Sequence, residues 1–200
     1  LIRPAYRKRI NEIPQTVGTF SVYLKFKEGR MPYMNYNYYG YQKDTPWNCE
    51  QYSKQSWPEG FLYMHFCQEA QDKDSPSSPS PSESNPPRFA STGVILSYMR
   101  MEDVERWRGT QVGRRGEDYE AFKRQKAEKL IDVVAQHFPD IRERIETYYT
   151  STPLTYLDYT GTENGSMYGN AKDIRKSSAY RVAQRTKVPN LYLTGQNINS

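Results

Sequence analysis

Residues 19–27 alternate without a break: Phe20, Val22, Leu24 and Phe26 fall on one side, and Ser21, Tyr23, Lys25 and Lys27 on the other. A two-residue period of this kind describes an extended strand with one face buried. A strand cannot satisfy its own backbone amides and carbonyls, so the chain is committed to a sheet. Glu28-Gly29-Arg30 reads as a turn. Met34, Tyr36 and Tyr38 then alternate with Asn35, Asn37 and Tyr39, so a second strand closing a hairpin is expected. Residues 61–68 and 92–100 are apolar at successive positions, the pattern of central strands covered on both sides.

Between those two runs lies Asp72-Lys-Asp-Ser-Pro-Ser-Ser-Pro-Ser-Pro-Ser-Glu-Ser-Asn-Pro-Pro87, a Pro/Ser-rich excursion that cannot pack a core. Residues 69–88 are expected to be a long, mobile surface loop joining neighbouring strands. Read instead as an interdomain linker, they would leave two fragments each too strand-poor to close a sheet. Residues 101–108 predict a short helix and residues 117–138 the one long helix. In the latter, Tyr119, Phe122, Leu130, Val133, Val134 and His137 keep helical spacing, the Lys126 stem fills the stripe, and Pro139 prevents continuation. Ile145, Thr147 and Tyr149 alternate toward Thr152-Pro153, an N-cap and first-turn pair that starts a short helix ended by Gly161. The order of elements predicts an α+β domain: a mixed, largely antiparallel sheet with one long helix and short helices on one face.

Aliphatic content is low while tyrosine reaches 18 residues, so phenol rings must supply much of the buried or cleft-lining surface. The 28 basic residues exceed the 23 acidic ones by five, but most are scattered among acids, and the densest patches, Arg3 to Arg9 and Arg106 to Arg115, read as solvated faces or loops and not as a nucleic-acid surface. Attraction to an anionic membrane surface stays open as a peripheral contact. Cys49 and Cys67 share no metal-ligand spacing with His65 or His137, so no metal site is expected. With no secretory leader visible and no apolar run near the ~18 residues of a membrane span, a reduced, cytoplasmic protein is the expectation. Gly109-Thr-Gln-Val-Gly113-Arg-Arg-Gly116 lacks the spacing and the preceding strand of a dinucleotide turn. Neither a P-loop nor a nucleophile elbow appears, and no catalytic residue is assigned.

Phe138-Pro-Asp-Ile141, Ser151-Thr-Pro-Leu-Thr-Tyr156, Gly165-Ser-Met-Tyr-Gly169, Arg185-Thr186 and Val188-Pro-Asn-Leu-Tyr-Leu-Thr-Gly-Gln196 follow one another in a telling order. Over residues 138–200 this set resembles the C-terminal third of the FAD-dependent family of carotenoid (phytoene) desaturases, carotenoid isomerases and retinol saturases. The earlier residues fit that family by length and pattern. The resemblance implies that residues 1–190 are a substrate-binding domain. It also implies that residues 191–200 are a strand and turn returning toward an FAD-binding domain that these residues do not include.

It further implies that Tyr168, Gly169, Gly195 and Gln196 lie against FAD, while Thr152, Pro153 and Leu154 scaffold the site. FAD would bind the full-length protein and not this chain alone, which should be colourless and inactive. An apolar polyene or lipid would be the substrate. Tyr36, Tyr38, Phe61, Tyr63 and Met64 are candidates for its channel, since aromatic and thioether side chains suit a long conjugated chain. Core packing accounts for those five equally well. A different class also remains open: a non-catalytic module whose Tyr/Asn-rich strands present a flat face to a glycan or protein partner.

Overall fold

The computed structural model describes residues 3–43, 46–67, 88–173, 175, 182–195 and 198. Of the Pro/Ser-rich stretch at 69–88, only Arg88 falls within them. The chain forms two compact units, each assembled from separated stretches.

The second unit, residues 20–98 and 114–151, holds the sheet. Its strands are β1 (Gly18–Phe26, entered from the first unit), β2 (Tyr38–Tyr41), β3 (Gly60–Cys67), β4 (Ala90–Met99) and β5 (Ile145–Ser151). They lie in the order β2-β3-β4-β1-β5, and the pairings β2–β3, β3–β4 and β1–β5 are antiparallel. The α+β class expected from element order is therefore what forms. Phe20, Val22, Leu24 and Phe26 are buried as their alternation requires, together with Tyr63 and Ile95.

The hairpin expected between β1 and β2 does not form: β2 pairs with β3, and both sides of β1 are taken by β4 and β5. The turn itself is present, with the Arg30 amide donating to the Lys27 carbonyl at 3.1 Å and Gly29 at φ 64°. Beyond it, Pro32 has no amide to offer a ladder along β1. The Tyr33 amide donates to the Arg88 carbonyl and the Ala90 amide to the Met31 carbonyl, both at 2.8 Å, so this segment runs beside the start of β4.

Helix α2 (Glu117–Ala135) covers one face of the sheet. Acidic residues Glu117, Asp118 and Glu120 fill its first turn, where they complement the helix dipole. Ala127, Leu130, Ile131 and Val134 form its buried stripe. Lys126 places its ammonium 4.3 Å from the Trp57 ring centroid, so its stem does complete that stripe. The Tyr148 hydroxyl donates to Glu128 at 2.9 Å, tying β5 to the helix. The helix stops three residues short of its expected end because Phe138 precedes Pro139, whose ring drives the preceding residue out of the α region. The chain tightens instead, with the His137 and Phe138 amides both donating to the Val134 carbonyl. A one-turn helix, α3 (Ile141–Arg144), leads into β5.

The first unit, residues 1–19, 99–113 and 152–200, contains α1 (Pro4–Asn11) and α4 (Pro153–Thr160). The short helix expected at 101–108 resolves into two 3₁₀ turns, Met101–Asp103 and Glu105–Trp107. Helix α4 starts and ends as its sequence requires. Thr152 and Thr155 form a reciprocal capping box, and Gly161 closes the helix at φ 66°. Gly165 has φ 61°, and a Cβ there would run into the Pro153 carbonyl, so this turn admits no other residue without moving. Among the described residues no helix is long and apolar enough to cross a membrane.

Core position and surface position on α2 separate cleanly in their expected effects. Leu130→Ala should lower the unfolding free energy by about 2–5 kcal/mol in a urea titration, since it opens a cavity at a fully buried site. Gln125→Ala on the exposed side should change it by no more than about 0.5 kcal/mol.

Candidate functional site

Strands β3 and β4 present two different surfaces. On the covered face, Phe61, Tyr63 and His65 of β3 are buried. On the other face, Leu62 stands opposite Leu96 and Met64 opposite Val94, all four half-buried. Around them Tyr39, Tyr41, Phe66 and Tyr98 are exposed, Tyr39 at 56 % and Phe66 at 48 %. Tyr39 stands opposite Leu62 on β2, so the aliphatic strip continues into a ring. On β1 and β5, Tyr23 and Tyr149 are paired in register and both exposed. A sheet face of this kind is apolar at its centre and bordered by phenol hydroxyls. Such a surface has the area to cover a flat, extended apolar group and the hydroxyls to hydrogen-bond a polar end at the periphery.

The covered face is a packed aromatic layer. Tyr38 lies 5.9 Å from Phe61, 5.2 Å from His137 and 5.1 Å from Phe138, ring centroid to centroid. Tyr63 lies 5.0 Å from Phe138 and 4.8 Å from His65, and His65 lies 5.4 Å from Phe26. Gly40 makes this possible, because a Cβ there would overlap the Phe61 ring. Within the layer the Met34 amide donates to His65 Nδ1 at 3.2 Å. The imidazole proton must then sit on Nε2, which is 2.5 Å from the Tyr63 hydroxyl. Burial lowers the His65 pKa from 6.5 to about 4, against a raising contribution from the Pro32 backbone. Burial also pushes the Tyr63 phenol well above its ordinary range, with Arg144 opposing. The pair is neutral at physiological pH.

In the first unit, the Tyr168–Gly169 step is a pinned turn. Ser166, fully buried, accepts the Gly169 amide at 2.7 Å and lies 2.7 Å from the Thr16 hydroxyl. Thr16 in turn donates its hydroxyl to the Gly169 carbonyl at 3.0 Å and accepts the Tyr168 amide at 3.2 Å. Gly169 takes φ 73°. The outcome is a ring, Tyr168, that is 58 % exposed on backbone that cannot drift. Further along, Asn190 at φ 62° turns the chain back so that Tyr192 bridges Arg185. Gly195 has φ 107°, and among the described residues nothing lies within 4 Å of the position a Cβ would occupy. Gln196 lies outside the described residues.

The residues expected to line a channel are thus divided. Tyr38, Phe61 and Tyr63 come together in the packed layer under Phe138, Met64 lies on the opposite face, and Tyr36 is exposed in the connection before β2. The central strands were expected to be covered on both sides, and here they are not. Leu62, Val94, Leu96 and Tyr98 were not singled out beforehand. Their signal was the apolar run of β3 and β4, which is equally the pattern of a strand with core on one face and a ligand surface on the other.

No family model matches the chain. Among curated proteins, it is 28% identical over 206 residues, 98% of its length, to the all-trans-retinol 13,14-reductase of Rattus norvegicus. It is 27% identical over 207 residues to that of Homo sapiens, and in both cases the match takes in 32% of the relative. A stretch of 111 residues, 54% of the chain, is 32% identical to the all-trans-retinol 13,14-reductase of Danio rerio. The chain therefore spans about a third of the length of the curated relatives it matches. These similarities support the retinol saturase part of the resemblance.

Two outcomes follow from the buried polar groups. Because the His65 pKa is lowered in the folded state, the unfolded chain takes up a proton first, and stability should fall as pH drops from 6.5 toward about 4. His65→Phe should flatten that part of a stability-against-pH curve, and NMR of the wild type should show the His65 ring titrating near pH 4. Ser166→Ala leaves the Gly169 amide without its acceptor and should cost about 1–3 kcal/mol. Amide hydrogen exchange at Gly169 and Tyr168 should speed up in the same variant while exchange on β3 stays unchanged.

Proposed function

We propose that this chain is the substrate-binding portion of an FAD-dependent oxidoreductase that saturates, desaturates or isomerises C–C bonds of an apolar polyene, with a retinoid as the first substrate to try. The observation that carries this reading is the aliphatic strip of Leu62, Met64, Val94 and Leu96 with its phenolic border on the open face of the sheet. A conjugated chain is flat, long and apolar, and such a strip buries its length while the border tyrosines reach a terminal hydroxyl. The names of the relatives, which match along almost the whole chain, point to the same substrate class.

In this reading FAD, when bound, takes up or gives the hydride. The chain's own residues bind the polyene, fix its orientation and keep water from it. Gly195 suits a cofactor contact because its open backbone lets a ligand approach closely, and the pinned Tyr168–Gly169 turn suits one because its exposed ring is held in place. The sequence has no Gly-rich phosphate cradle, so the rest of the protein must supply the hold on the pyrophosphate. A second reading, docking of a protein or glycan partner, is favoured by one observation: Tyr36, Tyr39 and Tyr41 all present exposed rings.

The test is turnover by the longer protein that contains this chain, given FAD, all-trans-retinol and a reductant. Leu62→Asp or Leu96→Asp should lower kcat/KM by about tenfold or more, since a carboxylate would then face an apolar chain. Thr147→Asp, on the edge strand, should leave it unchanged. Equal activity in all three variants would remove the strip from the substrate site. The 200-residue chain alone should purify without a flavin absorption band, and stoichiometric FAD bound to it would contradict the division of labour proposed here.

A further inference from the structure

The first unit also carries a groove of about 580 Å³ between α1 and the stretch at 186–193. Ala5, Tyr6, Val188, Leu191 and Leu193 give it apolar walls. The far wall is built, not frayed. Thr186 donates its hydroxyl to the Leu191 carbonyl at 2.8 Å, and the Leu193 amide donates to the Gln184 carbonyl at 2.8 Å. Leu193 also packs with Ile10 against a small core of Ile13, Val182 and Ile198.

Arg3, Arg9 and Lys187 line the same groove, Arg9 with its guanidinium 5.4 Å from the Tyr6 ring centroid, and among the described residues no carboxylate does. The charge around it is one-sided. Residues 3–13 and 182–195 hold six cations, Arg3, Arg7, Lys8, Arg9, Arg185 and Lys187, against the single carboxylate of Glu12, which pairs with Lys8. That local excess of five equals the net charge of the entire chain.

Apolar walls and cations in one concavity ask for a ligand with both characters. A nucleic-acid strand would satisfy the cations and waste the walls, while a neutral hydrocarbon would do the reverse. From this complementarity we propose that the groove binds a single-chain anionic amphiphile: a hydrocarbon tail against Tyr6, Val188 and Leu191, and a carboxylate or similar anionic head held by Arg3 and Lys187. The site lies within the first unit and does not depend on the polyene reading of the second.

Isothermal titration of the 200-residue chain with monomeric oleate, oleyl alcohol and acetate tests it, alongside NMR of the leucine methyls. Oleate should bind one to one and shift Leu191 and Leu193 while leaving Leu130 unmoved. Oleyl alcohol should bind about tenfold more weakly or worse, and acetate should not bind measurably. The double variant Arg3→Glu/Lys187→Glu should lose about tenfold in oleate affinity with an unchanged circular dichroism spectrum, and added salt should weaken the wild type toward it. Oleyl alcohol binding as tightly as oleate would overturn the anionic head. Oleate affinity unchanged in the variant, or methyl shifts elsewhere only, would overturn the location. Binding to vesicles containing phosphatidylserine with no binding of monomeric oleate would overturn the single-chain ligand in favour of a membrane surface.

Discussion

The second unit depends on one constraint: β3 and β4 are apolar on both faces while α2 covers one of them. Burying Phe61, Tyr63 and Ile95 under the helix and the Phe138 turn builds the core. The same strands then cannot avoid presenting Leu62, Met64, Val94 and Leu96 on the far side, since neighbouring residues of a strand point opposite ways. A fold that wanted only a solvated outer face would place polar residues there, as β1 does with Lys25 and β5 with Thr147. The open strip is therefore not required by the packing under α2, and that is why the proposed function places an apolar ligand there.

The neighbouring layer is rigid for a complementary reason. Tyr63 and His65 bring polar atoms into a fully packed region, and each is satisfied by the other or by the Met34 amide. Leaving any of them unpaired would cost on the order of 1–3 kcal/mol. This fixes β3 in register and, through Phe138, fixes the end of α2 against β2 and β3. The first unit uses the same device on a smaller scale. Its Ser166–Thr16–Gly169 network holds Tyr168 outward with hydrogen bonds alone.

Local periodicity made much of this visible in advance. The alternation of β1 and the Thr152 cap of α4 each depend on residues close together in sequence, and each formed where its pattern lay; the stripe of α2 kept Tyr119, Leu130 and Val134 but took in Ala127 and Ile131, while His137 fell beyond the helix end. Partner choice was not visible. Which strand β2 joins was decided by Pro32 and by the backbone bonds of Met31 and Tyr33 to the start of β4, a long-range event that no window along the chain contains. The pinned turn depends likewise on Thr16, more than a hundred residues before Ser166. The open face was hidden differently: an apolar run records that both faces of a strand avoid water without recording what covers each.

Photo-crosslinking with a diazirine-bearing all-trans-retinoid, mapped by peptide mass spectrometry, asks most directly whether the open strip is a polyene surface. Adducts on β3 and β4 at Leu62, Met64, Val94 or Leu96, competed away by unlabelled all-trans-retinol, are the expected result. Labelling that avoids both strands, or that matches a diazirine probe with no polyene, would contradict the account.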